Sequence, residues 1–241
     1  MEENILEIRS GQEVDFDATF SEIENKYPLP PREFDFRGNV GDILDLRNVD
    51  RSKVGVPTDC GVVANKNQEL LTEKVVGCAA VFFKGKESNA FFHLTPNSKL
   101  GYRYFKYPKD ADDYIGNSAM KVMESLPKEE RPEDYEVIIL VNIGSEDGGN
   151  YDYHKILADA KNFASKLKGI EKVKIVELPL NSTMLYYSPK IPNQIFACGD
   201  ETKINERGGL DYGRKVVGLR VDLDPSIEVD YVLHSLLEKA A

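Results

Sequence analysis

The chain has 241 residues, 41% of them apolar and 30% charged, so it is long and apolar enough to bury a core. This composition excludes a disordered chain, and no apolar run approaches the roughly 20 residues that a membrane-spanning helix needs. A net charge of −10 without a cluster of Lys and Arg argues against nucleic acid or an anionic membrane as a partner.

The first 57 residues are predicted to form an N-terminal arm that packs on the body of the protein. They carry many acidic side chains, a proline-rich stretch at residues 27–31 and the glycines Gly38 and Gly41. Proline blocks helix formation and removes a backbone donor, which is typical of a linker or a surface strap. A short helix at residues 43–47 is compatible with the pattern. Residues 58–241 are predicted to form a single domain.

The strongest β signal lies in residues 59–96. The pattern predicts strands at residues 61–64, 69–72, 75–83 and 89–94, with turns between them. The run at 75–83 is almost entirely apolar, which is typical of a strand buried on both faces. The polar, glycine-containing segment at 84–88 predicts a hairpin turn before the return strand.

The rest of the chain alternates between helices and strands. Helical spacing of apolar residues predicts helices at 111–126, 150–168 and 229–239, and strands are predicted at 136–141, 173–178, 194–198 and 215–222. The strand at 136–141, the following helix and the strand at 173–178 predict a crossover unit. Together these elements predict an α+β fold with a mixed, largely antiparallel, sandwich-like β-sheet core flanked by helices.

The cysteines indicate a reducing environment. Cys60, Cys78 and Cys198 are odd in number and show no CxxC spacing, so a disulfide framework is not expected. The N-terminus shows neither a basic segment nor an apolar one that would indicate a secretory signal. We therefore expect a cytoplasmic location.

Cys78 and His93 are the first candidates for chemistry. If Gly85 and Lys86 are the two central residues of a tight turn, the hairpin register places Cys78 directly opposite His93 on one face. The imidazole could then take the thiol proton and generate the nucleophilic thiolate. A turn shifted by one residue would break this facing.

A purely structural role for Cys78 and His93 is the alternative. A cysteine in an apolar strand is most often a buried structural residue, and spacing alone favours that interpretation over a catalytic pair. Thr72 lies six residues before Cys78, about 20 Å away along a straight strand. It can join the pair only if the chain bends sharply, which Gly77 permits.

These residues resemble the chemoreceptor glutamine deamidases of bacterial chemotaxis and the catalytic domains of the cytotoxic necrotizing factor toxins. The resemblance rests on Thr72, on Cys78 with the apolar run that follows it, and on His93 shortly before Pro96. A weaker similarity to the end of that family lies at residues 208–216. The clear match covers residues 59–96.

The resemblance implies a cysteine-dependent amidohydrolase of the protein-glutamine deamidase type, acting without a cofactor or metal. Cys78 would attack the glutamine carboxamide, and backbone N–H groups before Cys78 would stabilise the oxyanion. His93 would protonate the departing ammonia and activate water, while Thr72 would orient the imidazole. The implied partner is a protein that presents a glutamine side chain.

Two rival sites have weaker support. The glycine-rich segment 144–149 lies between a strand and a helix, where phosphates are often held, but its Glu146 and Asp147 would repel a phosphate. Cys60, Cys78 and His93 could hold zinc, although no paired ligand spacing supports it. The alternative function, from another class, is a non-catalytic protein-binding module that retains the deamidase-like fold. The sequence leaves the oligomeric state and the target protein open.

Overall fold

The part of the chain that the computed structural model describes contains two β-sheets, two α-helices and a short 3-10 helix at Pro132–Asp134. This part comprises residues 34–36, 38–75, 77–95, 114–142, 153–178, 180–204, 210–223 and 234–235. The proline-rich stretch at 27–31 and the glycine-rich segment at 144–149 lie outside these residues.

The first sheet has seven strands in the order β1-β3-β5-β10-β11-β12-β13. Its strands are β1 (Asp35–Phe36), β3 (Lys53–Val56), β5 (Glu69–Val75), β10 (Leu180–Tyr187), β11 (Gln194–Ile204), β12 (Leu210–Asp222) and β13 (His234–Ser235). The pairs β1–β3 and β3–β5 are parallel, and the remaining pairs are antiparallel.

The second sheet has six strands in the order β2-β4-β7-β6-β8-β9. Its strands are β2 (Ile43–Asp45), β4 (Cys60–Asn65), β7 (Ser88–Leu94), β6 (Ala79–Lys84), β8 (Glu136–Asn142) and β9 (Lys172–Leu178). The pairs β2–β4 and β8–β9 are parallel, whereas the three central pairs are antiparallel. The predicted mixed, largely antiparallel α+β fold is confirmed.

The helices α1 (Tyr114–Ser125) and α2 (Tyr153–Ser165) cover one face of the six-stranded sheet. In α2, Ile156, Ala160 and Phe163 recur at helical spacing and are buried against the sheet. The chain turns after α2 at Gly169, whose φ of 81° is a left-handed conformation that glycine adopts without strain.

The other face of the six-stranded sheet packs on the seven-stranded sheet. Phe82 and Phe91 of the one contact each other and lie in the same apolar cluster as Leu185 and Tyr187 of the other. Because both faces of the six-stranded sheet are covered, its central strands β6 and β7 are buried at nearly every position. The strand β8, the helix α2 and the parallel strand β9 form the predicted crossover unit.

Three sequence predictions need correction, and the strands β1 and β3 were missed. Residues 43–45 form the strand β2, not a helix, because they pair in parallel with β4. The single strand predicted at 75–83 is two strands in different sheets, β5 and β6. The strand β10 was not predicted at all. Residues 234–235, predicted to be helical, form the strand β13 against β12.

The described part of the predicted arm is closely integrated with the body. Strands β1, β2 and β3 all precede residue 58, and between them they join both sheets. Val54 and Val56 of β3 are fully buried in the cluster between the sheets. No helix among the described residues is long and apolar enough to cross a membrane.

Candidate active site

The chain crosses from one sheet to the other just before Cys78. Strand β5 ends at Val75 in the seven-stranded sheet, and β6 begins at Ala79 in the six-stranded sheet. Lys74 and Gly77 have left-handed φ values of 56° and 57°, respectively. The bend expected near Gly77 is therefore present, and it brings Thr72 and Cys78 closer than a straight strand would allow.

The hairpin between β6 and β7 turns one residue later than predicted. Ala80 pairs with His93, and the N–H of Gly85 donates to the carbonyl of Ser88 at 2.9 Å, so Lys86 and Glu87 are the central residues of the turn. Cys78 is therefore not directly opposite His93, and the predicted register is wrong.

The side chain of Glu130 provides a physical reason for the later turn. Its Oε2 atom accepts hydrogen bonds from the backbone N–H of Lys86 at 2.8 Å and of Glu87 at 3.3 Å. A carboxylate that binds two consecutive N–H groups favours the turn that exposes them. This partner lies 44 and 43 residues away in the sequence, respectively, so the local pattern did not reveal it.

Cys78 nevertheless lies on the same side of the six-stranded sheet as His93. Cys78 and Ala80 both belong to the apolar cluster between the sheets, and Ala80 is the direct partner of His93. The ring of His93 also points between the sheets, since it contacts Thr72 of the other sheet. Cys78 is thus a diagonal neighbour of His93, at a Cβ separation of about 7 Å or less, which side-chain rotation can shorten.

Thr72 binds His93 as expected from the resemblance. The Oγ1 atom of Thr72 lies 2.8 Å from Nδ1 of His93, and the same hydroxyl donates to the carbonyl of Val56 at 2.9 Å. Because the hydroxyl proton is used on Val56, the oxygen accepts from Nδ1–H. This assigns the neutral tautomer in which Nε2 carries a lone pair.

The imidazole is held neutral by its surroundings. His93 is 0% exposed, and burial lowers its pKa from 6.5 to about 4. Its Nε2 atom is buried and has no hydrogen-bond partner among the described residues. A neutral imidazole with an unoccupied Nε2 lone pair can accept a proton, which is what a general base requires.

Cys60 is a second thiol near the same histidine. It pairs directly with His93 across β4 and β7, but its Sγ atom donates to the carbonyl of Asn39 at 3.0 Å. Burial raises the pKa of Cys60, which disfavours the thiolate. The geometry and electrostatics therefore suit a structural role for Cys60.

The other candidate sites are the rival zinc and phosphate sites, the weaker family similarity and Cys198. Among the described residues, no group of three or more His, Cys, Asp or Glu side chains could hold a metal, so the proposed zinc ligands do not converge. The segment at 144–149, weighed as a rival phosphate site, and residues 208–209 of the weaker family similarity lie outside the described residues. Cys198 is half-buried on β11.

Two contributors to the site were missed in the sequence. One is the backbone carbonyl of Val56, which no side-chain pattern can indicate. The other is Asn142, the last residue of β8, whose side chain donates to the carbonyl of Val75. The signal available in the sequence was a polar residue directly after the strand predicted at 136–141.

Comparisons with known proteins show only loose similarities. No protein-family model matches the sequence, and a search of curated proteins found no relative. One similar structure is the hypothetical protein YfiH of Bacillus licheniformis, at 10% identity and a TM-score of 0.39, with 66% of this chain and 68% of that chain covered. Another is the C-terminal domain of CNFy from Yersinia pseudotuberculosis, at 10% identity and a TM-score of 0.30, with 67% and 58% covered.

Proposed function

We propose that the protein is a cysteine-dependent amidohydrolase of the protein-glutamine deamidase type, with Cys78 as nucleophile and His93 as base. The observation that carries this proposal is the 2.8 Å contact between Thr72 and Nδ1 of His93, which leaves Nε2 as the accepting nitrogen. Cys78 lies on the same side of the sheet, one diagonal step away.

The reaction begins with transfer of the Cys78 thiol proton to Nε2 of His93. The thiolate attacks the carboxamide carbon of a glutamine side chain and forms a tetrahedral oxyanion. When this intermediate collapses, the C–N bond breaks, and the nitrogen leaves as ammonia with the proton from the imidazolium. Water then gives up a proton to Nε2 and hydrolyses the thioester, which yields glutamate and restores the thiol.

The low pKa of His93 determines when the proton moves. Because burial holds the pKa at about 4, imidazolium is disfavoured in the resting protein. The imidazole therefore rests in its neutral form. The proton is transferred as the substrate approaches, which fits an uncharged carboxamide as the electrophile.

Substrate conversion can be measured directly by mass spectrometry. Incubation with lysate proteins should convert specific glutamines to glutamate, with a mass gain of about one dalton and release of ammonia. Cys78→Ser should abolish the conversion without unfolding the protein, because serine is a much poorer nucleophile of similar size.

Cys60→Ser is the matched control for this experiment. Its hydroxyl can keep the bond to the carbonyl of Asn39, so we expect activity close to that of the wild type. Identical conversions with wild type and with Cys78→Ser would refute the deamidase proposal.

A non-catalytic binding module is the second candidate. It is favoured by the burial of the three residues, since Cys78 is only 6% exposed, while Thr72 and His93 are fully buried. Under this alternative, His93→Ala should not change the rate at which iodoacetamide labels Cys78. A slower rate in His93→Ala would favour the enzyme.

A further inference from the structure

The side chain of Asn142 is hydrogen-bonded to the start of the chain segment that leads to Cys78. This side chain is 1% exposed, and its Nδ2 atom donates to the carbonyl of Val75, the last residue of β5. This bond links the end of β8 in the six-stranded sheet to the end of β5 in the seven-stranded sheet. The segment that joins β5 to β6, called the crossing segment here, begins directly after Val75. The hydrogen bond from Asn142 therefore fixes the start of this segment.

The strand register places Asn142 beside Cys78 as well. Ala79 pairs with Val141 at the end of the antiparallel pair β6–β8, and Cys78 and Asn142 are the residues that adjoin this last pair. Asn142 thus flanks Cys78 by register and holds Val75 by its side chain. Only two residues lie between these two points, and one of them is the left-handed Gly77.

We propose that Asn142 is a positioning residue that fixes the crossing segment so that the Cys78 thiol is held toward His93. This inference rests on the proposed function of Cys78 and His93. The carbonyl of Val75 requires a donor, which a neutral carboxamide supplies. An aspartate carboxylate of the same size would repel that carbonyl, and a leucine would leave it without this bond.

The test measures how strongly His93 accelerates the reaction of Cys78. Iodoacetamide labelling of Cys78 is timed in four full-length proteins: wild type, His93→Ala, Asn142→Leu and the double variant. In the wild-type background, His93→Ala should slow labelling severalfold, since general-base assistance is lost. In the Asn142→Leu background, His93→Ala should leave the rate of Cys78 labelling nearly unchanged, with a ratio of about one.

Asn89 provides the matched control. It is an equally buried asparagine of the same sheet, but it pairs with Ala64 and Lys84 near the opposite end of β7. Asn89→Leu should leave the effect of His93→Ala on labelling unchanged. An undiminished His93 effect in Asn142→Leu would overturn the proposal, because a merely structural asparagine does not alter that ratio.

Two further variants cover the case in which Asn142→Leu does not fold. Asn142→Ala removes the donor without adding bulk, so it should lose the His93 effect. Asn142→Gln keeps the donor and should retain at least part of the effect. Equal behaviour of the two variants would contradict a role for the donated hydrogen bond.

Backbone hydrogen exchange separates this proposal from the proposed function. Loss of the Asn142 bond should speed exchange of the amides at Gly77 and Cys78, whatever the reactivity of the thiol. If wild-type labelling is independent of His93 but exchange still rises, the catalytic pair fails while the anchoring by Asn142 stands. If neither exchange nor labelling responds to Asn142, the positioning role fails by itself.

Discussion

His93 combines two properties that burial and one hydrogen bond impose on it. Thr72 occupies Nδ1 at 2.8 Å and is in turn fixed by its bond to the carbonyl of Val56. Loss of solvent removes the hydration that would stabilise an imidazolium. The residue is therefore oriented and neutral at the same time: the hydrogen bond leaves the Nε2 lone pair as the proton acceptor, whereas burial lowers its basicity.

The depressed pKa of His93 predicts a loss of stability on mild acidification. The unfolded chain takes up a proton as the pH falls below 6.5, whereas the folded protein does so only near pH 4. Stability is therefore complete above the upper value and decreases as the pH falls through this window. We expect a loss of about 2 kcal/mol between roughly pH 7 and pH 5, measurable by urea unfolding.

A variant without the titrating ring is the control for this pH effect. His93→Gln should be less stable than the wild type near neutral pH but should lose much less stability on acidification. The carboxylates Asp45 and Asp134 have lowered pKa values and an ordinary value of 3.8, so their effects fall at lower pH. Parallel curves for the two proteins would contradict a buried neutral His93.

Thr72 is predicted to matter through its oxygen. Thr72→Val keeps the shape but removes the acceptor for Nδ1–H, so the imidazole loses its fixed tautomer. We expect glutamine conversion to fall by about tenfold to a hundredfold, less than for Cys78→Ser, since the base remains present. Thr72→Ser should restore most of the rate, and its failure to do so would show that the methyl group is what matters.

At the scale of elements, the crossing between β5 and β6 depends on its two left-handed residues. Gly77→Ala should destabilise the protein by about 1–2 kcal/mol, because a side chain is unfavourable at its φ of 57°. Lys74→Gly should change stability by less than about 0.5 kcal/mol, since relief of strain offsets the added freedom of the unfolded chain. Urea unfolding of the two variants measures both effects. Equal losses of stability in Gly77→Ala and Lys74→Gly would contradict a bend that depends on glycine at position 77.

Most strands of the six-stranded sheet could be predicted because their local pattern agrees with their final environment. The apolar run in β6 reflects coverage on both faces, and the polar segment at 84–88 reflects the turn. The division into two sheets at 75–79 could not be predicted, since the apolar residues continue on both sides of Gly77, which permits a bend but does not require one. The exact register was missed because Glu130, distant in sequence, binds the turn.

The site residues show the same limit. Thr72, Cys78 and His93 were selected from the residue pattern and the family resemblance, and the structure brings Thr72 into contact with His93. Neither the diagonal position of Cys78 nor the bond from Asn142 to Val75 was foreseen. Both depend on the pairing of β6 with strands that lie later in the chain.

At the scale of the whole molecule, the site depends on how the two sheets pack. His93 belongs to the six-stranded sheet, whereas Thr72 and Val56 belong to the seven-stranded sheet. The hydrogen bond of the imidazole to Thr72 is therefore a contact between the two sheets. The buried apolar residues of the helices belong to the other apolar cluster, on the far side of the six-stranded sheet.

Two adjacent phenylalanines of β6 allow this dependence to be tested. Phe82 faces the seven-stranded sheet, and its ring centroid lies 4.7 Å from that of Tyr187. Phe83 faces the helices. Both phenylalanines are fully buried. Phe82→Ala and Phe83→Ala should each lower the free energy of unfolding by about 3–5 kcal/mol, measured by urea unfolding.

Only Phe82→Ala loosens the packing between the sheets. In that variant the NMR signal of the His93 Nδ1 proton should broaden or exchange rapidly with water, while in Phe83→Ala it should persist. Equal loss of the signal in both variants would show that the imidazole depends on overall stability, and not on the contact between the sheets.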